Sequence, residues 1–105
     1  MKLHITTQYM ENYGAHDWDG TGQCPQYWKF KGGEDYFIQL KDNTNDEDIT
    51  ALVMAVRGDI ETSSYYSSST IIDWNVVADD FMTEFEKSQL EYEGKITYPA
   101  KVLTV

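Results

Sequence analysis

The sequence predicts a single α+β domain with a mainly antiparallel sheet and two helices. Three observations predict this class: apolar residues alternate in several short segments, two segments carry helix-start signals, and the order shows no regular βαβ alternation. The chain has 105 residues, the size of one compact domain. Its 41% hydrophobic and 14% aromatic residues exclude a fully disordered chain. We therefore predict one domain over residues 1–105.

The first part of the chain predicts three strands and one long loop. Residues 3–9 alternate between apolar and polar, which is typical of a half-buried strand. Residues 11–26 contain several turn-forming residues and predict an ordered loop, and loops of this length within a domain are often functional. Residues 27–31 and 36–40 predict two further strands, with a glycine turn at 32–33 between them.

The clearest element is a helix in the middle of the chain. Thr44 and Glu47 predict a capping box at its start, and Arg57 and Gly58 predict its end. Its apolar residues fall at helical spacing and predict one buried stripe. They are Ile49, Leu52, Val53, Val56 and Ile60.

A polar connection, a strand and a second helix follow. The serine-rich residues 63–69 predict the connection, and the alternation over 72–76 predicts the strand. Thr83 and Glu86 predict a second capping box, and Gly94 predicts the end of that helix.

A last strand is predicted over residues 96–102. Pro99 restricts it to an edge or a bulge, because proline cannot donate to the ladder of a central strand. Trp74 and Tyr98 each lie on an alternating strand face, so we predict that both are in the core.

The net charge limits the partners. Eighteen acidic and eight basic residues give a formal charge of −10, which argues against direct binding of nucleic acid or of an anionic membrane. The apolar runs are too short for a membrane helix, and the first residues lack the apolar core of a signal peptide. The single cysteine, Cys24, has no partner for an internal disulfide, as expected in a reducing compartment. We expect a cytoplasmic protein.

The loop concentrates the residues with chemical potential, namely His16, Asp17, Asp19 and Cys24. A cysteine with a nearby histidine can act as a nucleophile, but the sequence contexts of known cysteine proteases are absent. The spacing does not fit a zinc site, and the aspartates lack the later ligands of a calcium loop. We therefore predict no catalytic residue, no metal site and no cofactor. In this interpretation the aspartates cap turns and Cys24 is a small buried residue.

Acidic residues are dense near the second helix. A nine-residue helix is about 14 Å long, and duplex DNA of that length carries about eight phosphate charges. These acids could therefore imitate part of a phosphate row, whereas the alternative is a solvated helix kept soluble by its charge. The predicted partner-binding acids are Asp79, Asp80, Glu84, Glu86, Glu91 and Glu93. Charge reversal at the first four is expected to leave folding intact and to abolish binding.

Aromatic residues provide a second predicted surface, because tyrosine and tryptophan are enriched at binding hot spots. Lys29 and Lys31 alternate with Trp28 and Phe30, an arrangement that can also stack a nucleotide. The predicted partner-binding aromatics are Tyr13, Trp18, Tyr27 and Trp28.

Two stretches, residues 16–33 and 72–94, resemble small orphan proteins of tailed bacteriophages. The resemblance implies a small early phage protein, a class that often inhibits host defence or host nucleic-acid enzymes, sometimes by imitating DNA. We expect a non-enzymatic binding protein that occupies a host protein with a basic nucleic-acid groove. Two alternatives stay open: an enzyme or ligand-binding domain that uses residues 13–28, and a virion or assembly component. A homo-oligomer also stays open.

Overall fold

A long strand, β1 (Lys2–Asn12), is the centre of the sheet in the computed structural model, which describes residues 1–104. Within these residues there are six strands and three helices. They are β1 (Lys2–Asn12), α1 (Tyr13–His16), β2 (Trp28–Phe30), β3 (Asp35–Gln39), α2 (Asp46–Ile60), β4 (Thr62–Ser63), β5 (Ser67–Val77), α3 (Glu84–Glu93) and β6 (Lys101–Leu103).

The sheet has the strand order β4-β5-β1-β3-β6, and β2 pairs with the distal end of β1. β1 is antiparallel to β5, β3 and β2, and only the edge strand β6 is parallel, to β3. The chain is therefore an α+β domain with a mainly antiparallel sheet, as the sequence predicts.

The core lies between α2 and one face of the sheet. Leu3, Ile5 and Ile38 are fully buried there, under the predicted apolar stripe of α2. Four residues of that stripe are buried and Leu52 is partly buried, which confirms the helical spacing. None of the helices within residues 1–104 has the length and apolar character needed to cross a bilayer.

The molecule is flat and elongated, with extents of 54 × 38 × 17 Å. Its radius of gyration is 17.0 Å, against about 13 Å for a compact domain of this length. α2 packs over Leu3, Ile5 and Ile38, whereas Trp74 and Val76 on β5 stay exposed.

A small aromatic cluster covers part of the opposite face. The ring of His4 lies 5.3 Å from those of Phe37 and Phe81, and its Nε2 lies 2.7 Å from a carboxylate oxygen of Asp35. The Lys2 ammonium lies 3.8 Å from the centre of the Phe37 ring and donates to the Phe81 carbonyl at 2.8 Å. These contacts fasten the segment between β5 and α3 to the sheet.

The predicted bounds of α2 need two corrections. Its N-cap is Asn45, whose side chain accepts from the Asp48 amide at 2.8 Å, and not Thr44. The helix also continues through Gly58 to Ile60. It can do so because Ile60 is buried in the core, which offsets the low helix propensity of glycine.

The predicted second helix is confirmed as α3, and the predicted last strand is mostly wrong. Thr83 and Glu86 form the capping box, and Gly94 closes the helix in the left-handed conformation with φ 73°. Of the predicted strand, only Lys101 and Val102 pair with the sheet, as part of β6. The preceding backbone bonds instead to Gln89, whose side-chain oxygen accepts from the amides of Thr97 at 3.0 Å and Tyr98 at 2.7 Å.

The predicted core positions of Trp74 and Tyr98 are wrong, since the two residues are 42% and 68% exposed. Trp74 lies on the face that α2 packs against, but on a strand at the edge of the sheet that the helix does not fully cover. Tyr98 belongs to the segment fastened to α3. The alternation of apolar and polar residues predicts which face of a strand a side chain is on. It does not predict whether a helix packs over that face.

Candidate functional site

One end of the sheet gathers aromatic side chains from three separate parts of the chain. β1 runs into α1 there, the loop at 17–27 returns into β2, and the turn before β5 lies on the other side. We call this surface the aromatic end. Its residues are Tyr13, Trp18, Tyr27, Trp28, Tyr65 and Tyr66.

The fully buried Asn12 holds the three parts together. Its side-chain oxygen accepts from the Tyr27 amide at 2.8 Å and caps α1 by accepting from the Ala15 amide at 3.4 Å. Its side-chain amide donates to the Tyr65 carbonyl at 2.9 Å, and its backbone amide donates to the Tyr66 carbonyl at 2.8 Å. A single buried side chain therefore fixes the backbone on which the aromatic residues stand.

The rings form a connected series across this surface. Tyr13 lies 6.5 Å from Tyr27 and 6.3 Å from His16, and His16 lies 5.5 Å from Tyr66, measured between ring centres. These distances and the tilted geometry are those of favourable aromatic contacts. Tyr27 and Tyr66 are still 57% and 52% exposed, so both keep surface for a partner.

Trp18 and Tyr65 form a second ring pair on this surface, with ring centres 6.3 Å apart. Trp18 is held from the loop side, where its indole N–H donates to the Thr21 carbonyl at 2.9 Å. The Asp19 carboxylate accepts from the amide and the hydroxyl of Thr21 at 2.9 and 2.7 Å, and these bonds lower the pKa of Asp19. Asp19 therefore caps a turn, as the sequence analysis predicts.

Two lysines of the β2 region lie over the tyrosine rings. The Lys29 ammonium lies 5.4 Å from the ring centre of Tyr13 and 5.2 Å from that of Tyr27, and the Lys31 ammonium lies 5.0 Å from Tyr13. The hydrogen bond with Tyr13, together with the charge of Glu11, raises the pKa of Lys31. The aromatic end therefore combines ring faces with localised positive charge, although the whole chain is acidic.

The other chemically capable residues of the loop do not come together. Among residues 1–104, no three side chains of the metal-ligating types His, Cys, Asp and Glu approach closely enough to hold an ion. Cys24 is half-buried, more exposed than the predicted buried position, and its thiol lies against the Pro25 carbonyl at 3.6 Å.

Two of the six predicted partner-binding acids are engaged within the fold. Glu86 is buried, and Asp79 forms an ion pair with the N-terminal ammonium. The buried carboxylate of Glu86 accepts hydrogen bonds from the Thr83 amide at 2.9 Å and from the Ala100 amide at 3.3 Å. We therefore expect charge reversal at Glu86 to destabilise the fold, contrary to the expectation from the sequence. Asp79 binds the N-terminal ammonium at 2.8 Å and Gln39 at 3.0 Å, which lowers its pKa.

The remaining predicted acids are exposed. Asp80, Glu84, Glu91 and Glu93 all lie at the surface, and Glu84 lies 3.5 Å from the Lys87 ammonium. They are spread over α3 and the turn before it, so they provide a diffuse negative surface and not a continuous row.

Sequence reasoning missed Asn12 as a member of the site, and it left Tyr65 and Tyr66, which also lie beside a loop, out of the predicted partner-binding aromatics. The two tyrosines interrupt a serine-rich connection, and that interruption was the only local signal for them. Their position depends on the pairing of β5 with β1, which brings residues 65–66 beside residue 12.

A separate cluster of titratable groups joins β3 to β6. The Tyr36 hydroxyl donates to the Glu34 carboxylate at 2.6 Å, and the Lys101 ammonium donates to both of its oxygens at 3.0 and 2.9 Å. These bonds lower the pKa of Glu34, whereas burial, with the bond to Glu34, raises the pKa of Tyr36 to about 12. Cavities of about 460 and 480 Å³ share Gly33 and Glu34 in their walls.

We expect Tyr36 to make stability depend on alkaline pH. Because folding raises the pKa of Tyr36 from 10.0 to about 12, the protonated phenol favours the folded state. That stability is complete below pH 10.0 and is lost as pH rises to about 12. Among the eight tyrosines, the phenol that titrates last in an absorbance titration should disappear in Tyr36→Phe. In the matched variant Tyr92→Phe, which removes an exposed tyrosine, that phenol should remain. Identical high-pH titrations of the two variants would contradict this assignment.

Comparisons with protein-family models, with curated proteins and with solved structures found no match to this chain. Its own geometry is therefore the basis for inferring what it does.

Proposed function

We propose that this chain is a protein-binding domain whose aromatic end contacts a partner protein. One observation carries the proposal: the connected and partly exposed rings of the aromatic end stand on backbone that the buried Asn12 holds in place. Tyrosine and tryptophan dominate binding hot spots, and tyrosine offers a large contact area at low cost in side-chain entropy.

The local charge supports a contact surface of this kind. Residues 8–31 and 62–69 contain three acids and two lysines, although the chain as a whole has a net charge of −10. The centres of protein interfaces are depleted in charged residues and enriched in aromatic ones. The aromatic end therefore resembles the centre of an interface more closely than the acidic remainder does.

The exposed acids near α3 support a second role in the same function. A diffuse negative surface attracts a basic partner over distance and raises the association rate, and salt weakens that attraction. The resemblance to phage proteins makes a host protein the first partner to test, and the acids favour one with a basic nucleic-acid groove. The outcome of binding would be inhibition or modulation of that protein.

The test is affinity capture from a lysate of the natural host with three full-length chains. The wild type is compared with the double variant Tyr27→Ser/Tyr66→Ser and with Tyr92→Ser/Tyr98→Ser, which removes two exposed tyrosines elsewhere. We expect the first variant to recover at least about tenfold less of the partner, as for loss of a hot spot, and the second to recover as much as the wild type.

The acids are tested with the triple variant Glu84→Gln/Glu91→Gln/Glu93→Gln. This variant should retain the partner at moderate salt but associate more slowly at low salt, because only long-range attraction is removed. Recovery of no partner by the wild type at either salt, or equal losses in the two tyrosine variants, would overturn the proposal.

A further inference from the structure

The outer edge of β5 is open along half of its length. Within residues 1–104, β4 pairs only with Ser68 and Ser69, and no strand lies beside residues 72–77 on the side away from β1. The Glu61 carboxylate accepts from the Ile71 amide at 2.8 Å, so the unpaired edge begins after Ile71.

The ladder on β1 shows which backbone groups face this open edge. The amides of Thr7 and Tyr9 donate to the carbonyls of Glu34 and Gly32, so the odd-numbered residues of β1 turn their backbone groups away from β5. The even-numbered residues face β5, where their partners are Asp73, Asn75 and Val77. Trp74 and Val76 lie between these partners and therefore direct their N–H and C=O groups outward. Ile72 precedes them at a bulge, where the register of β5 on β1 shifts between Thr6 and Thr7.

The same three residues also present apolar side chains. Ile72 is 56% and Val76 is 43% exposed, and beside Trp74 a cavity of about 210 Å³ opens toward Met54 on α2. An edge with free backbone groups and apolar side chains is a template for strand addition, and proteins usually protect such edges with lysine or proline. The only charged residue from 72 to 77 is Asp73.

We propose that a second copy of this chain pairs with this edge, with β5 antiparallel to β5 about a two-fold axis at Trp74. In this register Ile72 lies opposite Val76 of the second copy, and the outward N–H and C=O groups of Trp74 meet those of Trp74 in the second copy. Asp73 lies opposite Asn75, an amide that already donates to the Asp73 carboxylate at 3.0 Å within the strand. An axis at residue 73 would instead place two like carboxylates opposite each other, which is unfavourable.

The occupant is a second copy because the edge is complementary to itself in hydrogen bonding and apolar contact, and the pairing sets Asp73 opposite an amide and not a second carboxylate. The pairing places both α2 helices on the same face of a continuous sheet, so the apolar groove beside Trp74 meets its symmetry mate. The net charge of −10 on each copy opposes association, so dimerisation should strengthen as salt rises. This is the opposite of the salt dependence expected for binding to a basic partner.

The first test measures the dimer dissociation constant by sedimentation equilibrium of the full chain at low and moderate salt. Val76→Lys should raise the constant more than about tenfold, since an edge lysine blocks strand addition. Val102→Lys makes the same change on the opposite edge strand, β6, and should leave the constant unchanged. A wild type that stays monomeric up to about 1 mM, or equal effects of the two variants, would overturn the proposal.

The second test fixes the register by cross-linking in a Cys24→Ser background. Residues 73 and 75 form a non-hydrogen-bonded pair across the axis, with Cα atoms about 4.5 Å apart, within the range for a disulfide. A mixture of Asp73→Cys and Asn75→Cys chains should therefore form disulfide-linked dimers much faster than either variant alone. Fastest cross-linking by Asp73→Cys alone, or no cross-linking in the mixture, would contradict the proposed pairing.

Discussion

Replacing Asn12 with alanine is expected to lower the free energy of unfolding by about 3 kcal/mol, the cost of leaving buried hydrogen-bonding groups without partners. The change removes the acceptor for the Tyr27 and Ala15 amides and the donor to the Tyr65 carbonyl. It also removes the N-cap of α1. The aromatic end should therefore lose its fixed geometry before the core around α2 is affected.

Urea unfolding of Asn12→Ala gives the change in stability, and hydrogen exchange shows where it acts. The control is Asn75→Ala, which truncates an exposed asparagine on β5 and, at a protein concentration that keeps the chain monomeric, should change stability by less than about 0.5 kcal/mol. Faster exchange should be confined to the amides of residues 13–27 and 64–67. Equal stability losses in the two variants would contradict the role assigned to Asn12.

Replacing Gly33 with alanine is expected to destabilise the fold by about 3 kcal/mol, at the upper end for overpacking. A methyl group at Gly33 would overlap the carbonyl oxygen of Thr7. This overlap involves two backbones, so no side chain can move to relieve it. The close approach is needed because Gly32 and Glu34 both bond β1, through the amides of Tyr9 and Thr7.

Gly58→Ala provides the matched control for Gly33→Ala. Gly58 lies in the exposed part of α2 with nothing near its missing side chain. The substitution should raise stability by about 1 kcal/mol, because alanine has the higher helix propensity. Thermal or urea unfolding of the two variants should thus give changes of opposite sign. A destabilisation of similar size in both would contradict the close contact at Gly33.

The parts of the fold that depend on local signals could be predicted from the sequence. Three of these signals come from residues that are close together in the sequence. They are the alternation in β1, the apolar stripe of α2, and the capping box and glycine stop of α3. The N-cap of α2 was displaced by one residue because Thr44 and Asn45 are both good capping residues.

The parts that failed depend on contacts between distant residues. The strand face of Trp74 predicts a core position, but the packing of α2 leaves this residue 42% exposed. The predicted last strand failed because Gln89 bonds the backbone of residues 97–98.

The candidate site was predicted only in its loop half. Tyr13, Trp18, Tyr27 and Trp28 lie close in sequence, so composition alone drew attention to them. Tyr65 and Tyr66 join them through strand pairing and through Asn12, whose side chain spans 53 residues of sequence to reach Tyr65. A buried asparagine has no distinguishing local pattern, so its role could be found only in the structure.

The most direct test of the proposed function is hydrogen exchange of the chain with and without the partner recovered by affinity capture. We predict that binding slows exchange at residues 13–28 and 64–67, because these segments would be covered at the interface. Exchange at the exposed acids of α3 should change little, since those acids steer association without close contact. Protection confined to α3 or to residues 72–77, with no change at the aromatic end, would contradict the proposed binding surface.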